Sequence, residues 1–379
     1  MFVTDPMTRR SILRKMTGIS YRRPLSYSRL IGVGGARGDR IVSNDDLAEA
    51  LERDDDWIRR RTGIVTRRHA SREVLVQHLA EQAARAALDA SGVPAGEMDV
   101  IIVSTVTWMQ MTPGMAPLIG ERVGASPSAA AYDVNAGCAG FCYAIAQADA
   151  MIRSGLARHA LVVGAEKLVD FTDPTERTIS FILGDGAGAV VLGPSDTPGV
   201  GPTVWGSDGR KGDAIRTTHD WLEYKYADDF RDVPWPTAEQ DGPTIFRWAT
   251  SVAPHFAAQA IEAAGLTPAD IDVFIPHQAN LRIVETMAHT LGLREDAVIA
   301  RDVIDTGNTS GASVPLAMER LLREGTAHGG QTALLFGFGA GLCYASQVVE
   351  LPAAVGGDGE YHAAALTTVS ESGALVAGE

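Results

Sequence analysis

A chain of 379 residues, 45% hydrophobic and 21% charged with 40 glycines, has an ordinary globular composition and room for two domains or one duplicated domain. Its net charge of −14 argues against nucleic acid as a partner and leaves any acidic partner to a local basic patch. The three cysteines, Cys138, Cys142 and Cys343, lack paired spacing, and no two of the nine histidines have the spacing of a helical metal pair, so neither a disulfide framework nor a zinc site is indicated.

Residues 1–28 carry Arg9, Arg10, Arg14, Lys15, Arg22 and Arg23 against Asp5 alone and read as a flexible basic leader, with Met7 and Met16 as alternative starts. Thr8 to Lys15 superficially resembles a twin-arginine export signal, but no apolar stretch follows before Tyr21-Arg22-Arg23. No run approaches the ~18 apolar residues of a membrane span, and the unpaired thiols suit a reducing cytoplasm. The folded text starts with the extended Ile31-Gly32-Val33-Gly34. Ser43-Asn44-Asp45-Asp46 then opens a helix to about Arg53, and a second helical stretch puts Trp57 and Arg61 on one face. A helix over 73–91 and strands over 100–105, 160–164 and 186–192 complete an αβ half, residues 29–200.

Inside that half, Asp133-Val134-Asn135-Ala136-Gly137-Cys138-Ala139-Gly140-Phe141 turns a short extended run into an apolar helix from Ala139 to Leu156. Cys138 sits at the helix N-terminus, where the dipole favours thiolate and brings a thiol pKa from about 8.5 into the range of roughly 3.5–7.5. On this stretch alone Cys138 is as consistent with a core filler as with a nucleophile.

The second half, residues 201–351, repeats the first at an offset of 173: Ala90 to Val100 matches Ala263 to Val273, Asn135 falls on Asn308, Ala139 on Ala312, and Ala160–Gly164 on Ala333–Gly337, without gaps. Cys138 itself falls on Gly311. Two similar αβ halves imply an α/β fold in an α/β/α/β/α layered arrangement, with a site where the halves meet. The segment 205–242, acidic and rich in aromatics, breaks the repeat and reads either as an insertion over the site or as an inert surface loop. Asp272 to Ile275 is a strand leading into Pro276-His277-Gln278-Ala279-Asn280, at the strand end where such sheets bind ligands, although a lone His there is often structural. Gly337 to Leu342 is a glycine-rich turn able to present an N–H to a developing oxyanion. The stretch 352–379, Gly/Ala-rich and acidic, reads as a flexible tail.

Three motifs in this order, the Cys138 turn, Pro276-His277-Gln278-Ala279-Asn280-Leu281-Arg282-Ile283 and Gly307-Asn308-Thr309-Ser310-Gly311-Ala312-Ser313, resemble the β-ketoacyl-acyl carrier protein synthase III family of thiolase-fold condensing enzymes. The resemblance spans about Ser28 to Leu351 and is strongest to actinomycete enzymes that prime fatty-acid or polyketide synthesis. It implies two thiolase-like halves in a homodimeric, cytoplasmic enzyme that needs no cofactor beyond its acyl-CoA substrate.

The resemblance also implies roles. Cys138 takes an acyl group from acyl-CoA, with its own N–H and that of Gly341 as the oxyanion hole. His277 and Asn308 hold the thioester carbonyl of malonyl-acyl carrier protein as it decarboxylates, a task for neutral donors. Trp57 and Arg177 would stack on the CoA adenine with Arg61 near its phosphate; Gly242, Phe246 and Asn280 would line the pantetheine tunnel; Arg247 and Arg282 would receive the acidic carrier protein. In Trp108-Met109-Gln110-Met111-Thr112-Pro113 this chain lacks the phenylalanine that acetyl-using relatives send across the dimer, so Met109, Met111 and Thr112 imply a larger acyl pocket and a non-acetyl starter. Alternatives are acyl transfer to an alcohol or amine, a cysteine hydrolase with papain-like Cys, His and Asn, and a silent carrier-protein docking subunit.

Overall fold

The computed structural model describes residues 27–363. The first half contains strands β1 (Tyr27–Arg37), β2 (Arg40–Ser43), β3 (Thr66–His69), β4 (Val100–Ser104), β5 (Ala130–Val134), β6 (Ala160–Glu166) and β7 (Gly186–Ser195). Its helices are α1 (Asp45–Leu51), α2 (Asp55–Thr62), α3 (Val76–Ser91), α4 (Met115–Val123) and α5 (Gly140–Ser154). The second half adds β8 (Val204–Ser207), β9 (Ile215–Thr217), β10 (Ala238–Gln240), β11 (Val273–Pro276), β12 (Val298–Ile299), β13 (Thr332–Gly339), β14 (Cys343–Glu350) and β15 (Val355–Glu360). With them come α6 (Trp221–Tyr226), α7 (Gly242–Ser251), α8 (Ala253–Ala263), α9 (Leu281–Leu291), α10 (Val303–Thr306) and α11 (Ser313–Arg323).

Strands such as Val100-Ile101-Ile102-Val103 are apolar on both faces because helices cover both sides of each sheet. The first sheet runs β15-β1-β7-β6-β4-β5 and the second β8-β14-β13-β11-β12, so beyond the extra β15 the two halves have the same strand order. Between the sheets lie α5 and α11. Phe141, Ile145 and Ala148 of α5 and Val314, Ala317 and Met318 of α11 pack with Ile102 and Val162 from one sheet and Ile275 and Leu335 from the other. The outer face of the first sheet is covered by α3 and α4, that of the second by α7, α8 and α9. The layering is the expected α/β/α/β/α order, and it leaves the N-termini of α5 and α11 facing the seam.

Four sequence expectations change. The repeat is not gap-free: Ala130 pairs with Val100 whereas Val298 pairs with Val273, five residues short of the 173 offset, and the segment containing α10 restores it. Trp205 belongs to β8 rather than to the insertion, since Val204–Ser207 pairs with β14; the strand reads as loop because it is a half-exposed sheet edge. Residues 1–26 lie outside the described residues, but Tyr27 and Ser28 begin β1 instead of closing a leader. The tail is also ordered in part. Val355–Glu360 pairs in parallel with β1, Glu360 forms an ion pair with Arg68, and the carbonyl of Glu360 accepts from Gln82. Glycine misled here because it provides fit: a Cβ at Gly356 would lie 2.0 Å from Ala86 O, so the backbone itself packs on α3. Residues 364–379 lie outside the described residues.

Among the described residues no helix is long and apolar enough to cross a membrane. Gly356→Leu should displace β15 and lower unfolding stability by about 1–3 kcal/mol, the usual cost of overpacking. Hydrogen exchange should rise at Val33 to Arg37, which pair with the strand.

Candidate active site

Cys138 follows β5 in a turn where Gly137 adopts φ +54°, and α5 starts two residues later. Close packing holds the turn. A Cβ at Gly339, the end of β13, would come within 2.6 Å of Cys138 N and 3.0 Å of its Sγ. The thiol departs from the sequence expectation: burial pushes it up to about 12, the nearby Glu166 carboxylate adds to the rise, and Ser310 Oγ, 3.2 Å from the sulfur and able to donate to it once it is ionised, only partly opposes it. At the start of the helix the N–H groups of Ala139 and Gly140 are spent within the turn, on Ala136 O and Gly137 O.

His277 follows β11, its backbone N–H donating to Phe336 O at 2.6 Å. Burial pushes its imidazole down to about 3, so it is neutral at ordinary pH. Nδ1 lies 2.7 Å from Ser313 Oγ, the first residue of α11, and that hydroxyl accepts the Gln278 N–H at 3.2 Å. The Ser313 hydroxyl, accepting from Gln278, can give its proton to Nδ1, the arrangement that carries the imidazole proton on Nε2. Asn308 is held by the first half: its N–H donates to Ile182 O, its C=O accepts from Gly184 N–H, and its Oδ1 accepts from Ser310 N–H at 2.8 Å. The side-chain NH₂ is thereby left as a donor.

Cys138, His277 and Asn308 line one cavity of about 870 Å³ that opens past Trp57, Arg61, Arg177, Gly242, Phe246, Arg247, Asn280 and Arg282. Ile215, Thr217 and Ala238 of the insertion form part of its wall, so that segment is not an inert loop. At the mouth Arg61 lies over the Trp57 ring at 4.5 Å, while Arg177 pairs with Glu52 instead of stacking. Asn280 caps α9 and reaches Arg61 O at 3.2 Å, and Arg282 lies over the Phe246 ring at 5.2 Å. A functional cavity gathering the sequence candidates is therefore present.

One assignment, Gly341, needs correction. Gly341 does not line the cavity, and a Cβ there would meet Cys343 Sγ at 2.8 Å; Gly339 and Ala340 line it instead. Because a Cβ at Gly137 would lie 2.9 Å from Ala340 N, the N–H beside the thiol turn is that of Ala340. Met109, Met111 and Thr112 lie outside this subunit's cavity, with Met111 82% exposed, because the loop runs along the surface beside β5. The papain-like alternative fails on geometry: the sulfur's partner is Ser310, and the imidazole Nδ1 is turned to Ser313.

Sequence reasoning also passes over Ser313, Ser310 and Glu166. The signal for them is the offset of 173, which places Ser313 opposite Gly140, Ser310 opposite Gly137 and Glu166 opposite Gly339, polar residues against small ones.

Comparison with known proteins matches residues 132–209 to the family model 3-oxoacyl-[acyl-carrier-protein] synthase III and residues 261–351 to the C-terminal model of the same family. The chain is 49% identical over 356 residues to β-ketoacyl-[acyl-carrier-protein] synthase III of Kocuria rhizophila, covering 89% of this chain and 100% of that protein. With the corresponding Streptomyces glaucescens protein it is 47% identical over 337 residues, 89% of this chain and 100% of that protein. Among solved structures it resembles a priming β-ketosynthase from a polyketide biosynthetic pathway, with TM-score 0.85 and 42% identity over 88% of this chain and 99% of that one.

Gly339→Ala tests the packing around the thiol. The added methyl should occupy the space of the Cys138 sulfur and slow its alkylation by iodoacetamide at least about tenfold, as expected when an attack geometry is displaced by about an ångström. Cys142 and Cys343 serve as internal references in peptide mass mapping.

Proposed function

The chain belongs to the β-ketoacyl-acyl carrier protein synthase III family, and from that premise we propose that it condenses an acyl-CoA starter with malonyl-acyl carrier protein, acting as an acyltransferase through acyl-Cys138. The observation that carries the reading is one buried cavity holding a thiol, a neutral Nε2–H imidazole and a free carboxamide NH₂. Cys138 attacks the starter thioester, and the N–H groups of Cys138 and Ala340 receive the oxyanion. Acyl-Cys138 remains as the first coenzyme leaves, giving ping-pong kinetics. His277 Nε2–H and Asn308 Nδ2–H then hold the malonyl thioester oxygen. Loss of carbon dioxide puts the electron pair into an enolate whose charge rests on that oxygen, and the enolate carbon attacks acyl-Cys138, releasing β-ketoacyl-carrier protein and the Cys138 thiolate, which takes one proton from solvent to restore the thiol. Two fixed dipoles in a dry site favour the enolate without proton transfer.

Trp57, Arg61 and Arg177 at the mouth suit an adenine and its phosphates, with Arg177 leaving Glu52 to stack on the base. Arg247 and Arg282 on the rim suit an acidic carrier protein despite the net negative charge of the chain. A homodimer fits the open edge of the first sheet at β5, since Asp133 of that strand binds the N–H groups of Met115 and Ala116 and so anchors the Met109–Thr112 loop beside the edge. Pairing across this edge would send Met111 to the partner's acyl pocket, and a flexible thioether there admits starters longer than acetyl. Acyl-CoA and carrier-protein substrates suit a cytoplasmic enzyme.

Intact-mass spectrometry after incubation with C2 to C6 acyl-CoAs should give the largest Cys138 adduct with a starter of three or more carbons and none with Cys138→Ala. Equal or better acylation by acetyl-CoA would overturn the non-acetyl starter. Met111→Phe should shift the preference toward acetyl-CoA. Removal of either enolate donor, in His277→Ala or Asn308→Ala, should lower carbon dioxide release from malonyl-carrier protein about 10²–10³-fold while leaving acylation of Cys138 intact. Turnover without carbon dioxide release would point to transfer onto an alcohol or amine.

A further inference from the structure

Glu166, at the end of β6, is fully buried, and among the described residues it forms no salt bridge with a cation. It accepts from Thr107 Oγ1 at 2.9 Å, Val106 N–H at 3.1 Å, Ser310 Oγ at 3.2 Å and Thr105 Oγ1 at 3.3 Å. Lys167, next in sequence, turns its ammonium away to Ser71 O and Asp170. The ionisable group that faces Glu166 is Cys138, reached through the Ser310 hydroxyl, which is 3.2 Å from Cys138 Sγ as well. Burial pushes the Glu166 carboxyl up to about 7 against these donors, so it titrates near neutrality. His277 shares the cavity but is neutral, and its Nδ1 is engaged by Ser313.

Ser310 adds an independent observation. Its φ is +48°, a conformation that side chains rarely adopt, and its counterpart in the first half is Gly137 at +54°. A glycine would relax this turn, yet the position keeps a hydroxyl that touches both the thiol and the carboxylate. One hydroxyl proton cannot serve two acceptors. When Glu166 is ionised it takes that proton, and the Ser310 oxygen is left to accept from the Cys138 S–H.

We propose that Ser310 and Glu166 are positioning residues that form a proton relay for Cys138, deepening the acyl-Cys138 reading on which it rests. As the sulfur attacks the starter carbonyl, the C–S bond forms and the S–H bond breaks. The thiol proton passes to Ser310 Oγ, and the Ser310 proton passes to Glu166, which becomes a carboxylic acid. When the tetrahedral intermediate collapses, its bond to the coenzyme sulfur breaks and the departing thiolate recovers a proton back through Ser310. The products are acyl-Cys138, free coenzyme thiol and ionised Glu166. The thiol needs no prior ionisation, which matches its burial.

The test is the rate of Cys138 alkylation by iodoacetamide in the full chain between pH 5 and 10. The wild type should show an inflection near pH 7, as Glu166 ionises. Glu166→Gln and Ser310→Gly should each abolish that inflection and lower the rate at pH 8 by about a hundredfold, the low end for a positioned general base. The double variant should be no slower than either single one, as for groups acting in series. Ser310→Gly keeps the turn that Gly137 already shows to be glycine-compatible, and decides the matter if Glu166→Gln fails to fold. A carboxylate that merely burdens the thiol electrostatically predicts the opposite sign, because its neutralisation would make thiolate easier to form. A faster or unchanged rate in either variant would therefore overturn the relay. Alkylation needs no acyl-CoA, so a relay-dependent profile in a chain that no acyl-CoA acylates would overturn the substrate reading and leave the relay standing.

Discussion

The site depends on how closely the two halves approach at their strand ends. A Cβ at Gly164 of β6 would lie 2.4 Å from Gly311 O, and one at its counterpart Gly337 of β13 would lie 2.9 Å from the Ala139 Cα. Each half thus presses a strand of its sheet against the turn that heads the other half's buried helix. Such contacts leave no room for a side chain, and they hold the thiol turn directly against β13. Polar bonds across the seam support them. The Asn308 backbone pairs with Ile182 and Gly184, and Arg37 of β1 forms buried ion pairs with Asp302 at 3.0 Å and Glu319 at 2.7 Å in the second half. Burial works against the Arg37 charge, but the two carboxylates outweigh it and hold the guanidinium protonated. A pair of this kind adds specificity of docking more than net stability.

That docking also dries the site, and dryness decides its electrostatics. It neutralises the imidazole of His277 and keeps the Cys138 thiol protonated, whereas helix position alone suggests a thiolate. Both states suit condensation. A neutral Nε2–H stabilises developing negative charge on oxygen without quenching a neighbouring carbanion, as a protonated imidazole would. A protonated thiol in an apolar pocket awaits its substrate without reacting with solvent oxidants, since the thiolate is the reactive form.

Much of this was legible in the sequence. The offset of 173 carried the layered fold, and Cys138, His277 and Asn308, which meet in one cavity, stood in motifs at strand ends. What escaped has physical causes. The thiol state depends on how deeply Cys138 is buried and on the Glu166 carboxylate near it, which no sequence pattern shows. The choice between Ala340 and Gly341 turns on the path of a short turn, and glycine content pointed to the wrong residue. Gly356 and its neighbours read as a disordered tail because glycine serves flexibility and close packing alike. The Met109–Thr112 loop lies outside its own cavity, as it must if its contacts are with a second copy of the chain.

The duplication explains why a subunit built from two similar halves holds one active site and not two. At five equivalent pairs one half carries a small residue and the other a polar or thiol group: Gly311 faces Glu166 where Cys138 faces Gly339, and Gly137, Ser104 and Gly140 correspond to Ser310, His277 and Ser313, whereas Asn308 has Asn135 as its counterpart. The two fits differ in tightness. A Cβ at Gly339 would come within 2.6 Å of Cys138 N, whereas one at Gly311 would lie 3.1 Å from Ser104 Oγ and 3.3 Å from Glu166 Oε1, so the glycine facing the thiol is the more strictly required of the two. Each half gives up one set of groups so that the other half's set can reach across the seam, and the asymmetry of Gly137 and Ser310 marks the side on which the proton of Cys138 leaves.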